Sequence, residues 1–164
     1  MALLSKVSGK LDYLRERVAE RAVRAMPAST LNVACRRPVV SFTFDDVPCT
    51  ALSAGAKILE ENGVRGTFYI AGGLLNRVEQ DRNIISEEGC RELAAAGHEL
   101  GCHTFGHEIV HTLSGRALRE NLNRNGALLD SFEPLFTKRN FAYPYNQGSL
   151  RHRQLFADRY QTAR

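Results

Sequence analysis

From Pro38 onward, short apolar, β-branched runs alternate with stretches of helical character, and this alternation constrains the fold more than any other feature. Pro38-Val39-Val40-Ser41-Phe42-Thr43-Phe44 reads as a buried strand. Residues 53–62 read as a helix that Gly63 stops, and Gly66-Thr67-Phe68-Tyr69-Ile70 reads as a second strand. After a polar loop comes a helix over about 86–96, with Ser86 as N-cap, Glu87 and Glu88 in an acidic first turn and Gly97 at its end. His98 to His103 is a third strand, 114–132 a further helix, 140–143 a fourth strand and 150–158 another helix. Residues 159–164 begin a fifth strand. Such alternation implies a parallel sheet or a β/α barrel. A sequence stopping inside a predicted strand leaves an edge unpaired, so the expectation is an incomplete barrel.

Ahead of this region, residues 1–26 carry Leu4, Val7, Leu11, Leu14 and Val18 at alternating spacings of three and four, with basic residues between them. That is the pattern of an amphipathic helix, ended by Pro27. We expect it to pack on its own domain or on a second subunit rather than on an anionic membrane surface, because Asp12, Glu16 and Glu20 dilute its charge and Trp is absent. The division is then 1–37 for helix and linker and 38–164 for the catalytic-type domain. A net charge of +4 is too small to argue for nucleic acid as a partner. No apolar h-region and no transmembrane run occurs, which gives a cytoplasmic expectation. Cys35, Cys49, Cys90 and Cys102 form no CxxC pair and read as reduced, mostly buried thiols.

Candidate chemistry gathers at three predicted strand ends, where β/α barrels place catalytic groups. In Thr43-Phe44-Asp45-Asp46, adjacent carboxylates can divide the tasks of holding a cation and acting as a base, or can simply make a turn. In His103-Thr104-Phe105-Gly106-His107, two imidazoles four residues apart can reach one metal, or can be unrelated core or surface histidines. Phe141-Ala142-Tyr143-Pro144-Tyr145-Asn146-Gln147-Gly148 runs from a strand into a loop able to present N–H groups, or is an ordinary β-to-α turn.

Taken in order, Phe-Asp-Asp, His-Thr-x-x-His and Tyr-Pro-Tyr resemble the NodB-homology polysaccharide deacetylases, carbohydrate esterase family four, from about Val39 to Arg164. The resemblance implies an α/β fold, a distorted (β/α) barrel. It also implies a divalent metal, zinc first, held by Asp46, His103 and His107. By the same resemblance Asp45 is the general base toward a metal-activated water, and the Tyr145 backbone N–H helps hold the oxyanion. The implied substrate is an N- or O-acetylated glycan such as chitin oligomers or peptidoglycan. Two departures stand out. The family's arginine that orients the base is replaced here by Ala142, and the downstream motif with a general-acid histidine has no counterpart after Tyr145.

Two other functions compete. His107-Glu108-Ile109-Val110-His111 fits the HExxH zinc-peptidase helix, with Glu108 as base and Glu120 or Glu133 as a third ligand. Alternatively the domain binds acetylated glycan without turning it over.

Overall fold

The computed structural model describes residues 34–134 and 138–164, with a few isolated positions upstream. Apart from those positions, the amphipathic helix expected over 1–26 lies outside the described residues.

Strands β1 (Thr43–Asp45), β2 (Thr67–Ile70) and β5 (Glu99–Cys102) form a parallel sheet in the order β1-β2-β5. Register places Asp45 opposite Tyr69, and Tyr69 opposite Gly101. Two further segments continue the sheet through single parallel bridges, Cys102 to Phe141 and Phe141 to Ala163. The expected fourth and fifth strands are therefore present as pairings too short to be full strands. The expected first strand is shorter than its apolar run suggested: Val39 and Val40 are 73% and 74% exposed, and pairing starts with the bond from Thr67 N–H to the Phe42 carbonyl. Apolar composition alone could not show that no neighbour covers this stretch among the described residues.

Helix positions follow local chemistry. A turn of π-helix (Ala51–Ala56) runs into α1 (Lys57–Glu61), and Gly63 leaves the helix at φ 67°. Helix α2 (Glu87–Ala95) is capped by Ser86, whose Oγ accepts from Gly89 N–H at 3.1 Å. Helix α3 (Gly115–Phe132) is capped in the same way by Ser114 and runs straight through Gly126. Helix α4 (Arg153–Arg159) then leads to the Ala163 segment. Between β2 and α2, the expected polar loop holds a small antiparallel hairpin, β3 (Val78–Glu79) and β4 (Arg82–Asn83).

The core lies where the helices cover the sheet: Phe68, Ile70, Leu100 and Phe141 from the sheet meet Leu93 of α2, Leu118, Leu122 and Leu129 of α3, and Phe156 of α4. Gly55 leaves room for the Phe44 ring, which stacks on Phe68 with centroids 4.6 Å apart. Cys90 and Cys102 are buried as expected, whereas Cys35 and Cys49 are exposed because the segments carrying them run over the surface. No helix among the described residues is long and apolar enough to cross a membrane.

Candidate metal centre and active site

At the C-terminal edge of the sheet the chain leaves β1, β5 and the Phe141 segment through unusual backbone. Asp46, Val47, Thr104, His107, Tyr145 and Asn146 all have φ between 48° and 59°. For β-branched Val47 and Thr104 this region is sterically unfavourable, at about 1–3 kcal/mol per residue. These turns aim side chains from separate strand ends at one point.

That point is defined by Asp46, His103 and His107, whose ligand-type atoms all lie within 4.8 Å of one another. Asp46 Oδ1 is 2.9 Å from His107 Nε2 and 3.5 Å from His103 Nε2. His103 Nδ1 lies 2.8 Å from the Ala142 carbonyl oxygen. A carbonyl only accepts, so Nδ1 carries the proton and Nε2 of the neutral ring turns a lone pair toward Asp46. Asp46 Oδ1 is then a buried carboxylate oxygen without a donor. A lone pair facing a buried carboxylate is costly unless a cation lies between them. The donor set of two imidazoles and a carboxylate is that of a divalent transition-metal site with open positions. These residues therefore fit the ion that the resemblance implies.

Where Nε2 carries a proton, either imidazole donates to Asp46 instead. The hydrogen bond from His103, then that from His107, holds the Asp46 carboxyl well below the usual carboxylate range, against the opposing effect of burial. The second Asp46 oxygen, Oδ2, lies 3.5 Å from an Arg82 guanidinium nitrogen of the hairpin.

Asp45 sits beside this cluster at the end of β1, with Oδ1 2.5 Å from Arg164 Nη2. The Tyr145 ring is half-exposed and packs against His107 with centroids 4.7 Å apart. The structure thus brings Asp45, Asp46, His103, His107 and Tyr145 into one neighbourhood.

It does not assemble the peptidase arrangement. His107 has φ 55°, no helix spans 107–111, and the only regular structure there is a 3-10 turn over Val110–Thr112. Glu108 is bonded by Asn121 Nδ2, and His111 is exposed. Cys102 likewise stays out of the centre. Its thiol is fully buried and takes hydrogen bonds from Asn125 Nδ2 and the Tyr160 hydroxyl, each at 3.2 Å.

Four supporting residues were not legible as such. Asn125, wholly buried on α3, accepts from Gly72 N–H at 2.9 Å and donates to the Ile70 carbonyl at 2.9 Å. One turn earlier, Asn121 Oδ1 accepts from Phe105 N–H at 2.5 Å and steadies the histidine loop. Their signal was an asparagine standing in the Leu118, Leu122, Leu129 stripe, where an apolar residue belongs. Arg82 and Arg164 left no signal, because each acts across a long sequence separation.

A profile of the polysaccharide deacetylase family matches residues 32–159. Among curated proteins, the chain is 35% identical over 94 residues to a chitin deacetylase from Colletotrichum lindemuthianum, covering 57% of this chain and 37% of that one. The structure of that fungal enzyme superposes with a TM-score of 0.65 at 24% identity, over 85% of this chain and 61% of that one. IcaB from Ammonifex degensii superposes with a TM-score of 0.70 at 23% identity, over 80% of this chain and 61% of that one. The match to the curated fungal relative thus spans little more than a third of that protein's length. With a family profile covering most of its length, the chain belongs to the polysaccharide deacetylase family.

Proposed function

We propose that this protein is a metal-dependent hydrolase that removes acetyl groups from N-acetylated or O-acetylated poly- or oligosaccharides, chitin oligomers and peptidoglycan being the first substrates to test. The observation that carries this reading is the convergence of Asp46, His103 and His107 beside a second carboxylate, Asp45, in a chain of this family. The name of the fungal relative, chitin deacetylase, supports the substrate class. The parallel sheet, with helices following its strands, belongs in this reading to a distorted β/α barrel.

Asp46, His103 and His107 would hold a divalent cation, zinc being our first choice, which would supply Lewis-acid character toward water and the acetyl carbonyl. Asp45 accepts the proton that the attacking water loses. The backbone N–H of Tyr145 donates to the carbonyl oxygen as that oxygen becomes anionic. The water oxygen bonds to the acetyl carbon and the bond from carbon to the sugar nitrogen or oxygen breaks. Acetate is released, and the sugar amine or hydroxyl takes up a proton.

The test pairs elemental analysis with acetate release from chitin oligomers. The wild-type chain is expected to hold about one metal ion per chain, which the Asp46→Ala, His103→Ala double variant loses and His111→Ala keeps. Asp45→Asn is expected to keep the metal and lower acetate release by roughly 100-fold or more. Glycan binding with no acetate release by the metal-loaded wild type would instead make this a binding module.

A further inference from the structure

We infer that Arg164 is a positioning residue that holds the Asp45 carboxylate in place across the face of the sheet, an inference that rests on the reading of Asp45 as the base. Arg164 is locked into the ladder on both sides. Its N–H donates to the Phe141 carbonyl at 3.1 Å, and its carbonyl accepts from Tyr143 N–H at 2.9 Å. In a parallel pair those two bonds bracket Ala142, so Arg164 stands directly beside Ala142. The Ala142 neighbour on the other side is His103, and by the two-residue alternation all three side chains share the face that carries Asp45 and Tyr69.

Reach is the next question. Arg164 lies on the fifth segment of the sheet and Asp45 on the first, four strand spacings away at about 4.8 Å each. A flat sheet would put them well beyond one arginine side chain. The 2.5 Å contact between Arg164 Nη2 and Asp45 Oδ1 therefore requires a strongly curled sheet. Two small residues on this face, Ala142 beside Arg164 and Gly101 beside Tyr69, leave room for the crossing side chain. At Gly101 a Cβ would come within 2.5 Å of the Tyr69 ring. The guanidinium carbon lies 4.7 Å from the centroid of that ring, which is itself buried. Tyr69 thus forms a flat aromatic floor for the guanidinium between the sheet and Asp45.

The consequence is positional. Asp45 and Arg164 are each more than a third exposed, and such a pair contributes about 0–1 kcal/mol to stability. For a base, the effect is on geometry: Arg164 occupies Oδ1, which leaves Oδ2 to take the proton. Loss of such alignment costs on the order of 100-fold in rate.

The experiment compares Arg164→Ala, Arg164→Lys and Asp45→Asn with wild type for kcat, KM, metal content and urea midpoint, using chitin oligomers. Arg164→Ala is expected to lower kcat by roughly 100-fold, with KM, metal content and urea midpoint close to wild type. Arg164→Lys recovers part of kcat, because an ammonium restores charge but not the flat fork. Added guanidinium, well below denaturing concentration, raises the Arg164→Ala rate about tenfold and leaves Asp45→Asn unchanged. If Asp45→Asn is inactive while Arg164→Ala keeps the wild-type kcat, this inference fails and the deacetylase reading stands. An Arg164→Ala loss that tracks a collapsed urea midpoint and does not respond to guanidinium also overturns it. Wild-type activity that survives Asp45→Asn, or a metal-loaded wild type that releases no acetate, refutes the reading beneath it.

Discussion

Replacing Asn125 tests whether the site edge is held by hydrogen bonds or by packing. The side chain is wholly buried and joins three elements: α3, the end of β2 and the turn at Gly72. In Asn125→Ala the Ile70 carbonyl keeps a donor, because His103 N–H also bonds it at 3.0 Å. Gly72 N–H has no such second partner in the described contacts, so it becomes a partly buried orphan at about 1–3 kcal/mol. The vacated volume adds about 1 kcal/mol, for a total of roughly 2–4 kcal/mol. Against a domain stability of about 5–15 kcal/mol this is a large fraction. With a slope of about 2 kcal/mol per molar urea, the midpoint should fall by about 1–2 M at unchanged slope. Asn125→Leu decides the cause. It refills the volume and leaves Gly72 N–H unpaired, so it should keep the hydrogen-bond share of the loss, about 1–3 kcal/mol, and recover only the volume share. A leucine variant with the wild-type midpoint would show that volume and not hydrogen bonding holds this edge, refuting the argument.

Two further outcomes follow from the packing of the molecule. Cys35 and Cys49 are exposed, whereas burial pushes the Cys90 thiol up to about 12 and also raises Cys102. A thiol reagent near neutral pH should therefore modify two cysteines in the native chain and all four after unfolding; native labelling of Cys90 would contradict the packing described. Asp46 is held below its ordinary value of 3.8, so its ionised form favours the folded state above that pH, and this contribution shrinks as pH falls through and below it. In chelator, the urea-derived stability difference between wild type and Asp46→Asn should drop by about 1 kcal/mol between pH 7 and pH 3. A difference that widens in acid would reverse the sign and count against the imidazole contacts.

Much of the molecule is written locally. Ser86 and Ser114 as helix caps, Gly63 and Gly97 as helix ends, and the Thr67–Ile70 strand all follow from neighbouring residues, because caps, turns and strand runs are short-range events. The meeting of the three proposed ligands is partly legible too. Asp46, His103 and His107 lie at strand ends, and an alternating β/α pattern brings strand ends to one edge of a parallel sheet. What stayed hidden depends on partners far away in sequence. Apolar Val39 and Val40 looked like strand core, yet burial depends on a neighbour, which their own side chains cannot announce. The left-handed backbone at Val47 and Thr104 runs against local preference and persists only because the surrounding fold enforces it. Asn125 became a clamp only when α3 settled against β2. Arg164, separated from Asp45 by 119 positions, became its partner only when the sheet curled. The sequence by itself determined which residues could bind a cation or move a proton; the curvature of the sheet, a property of the packed whole, decided which of them meet.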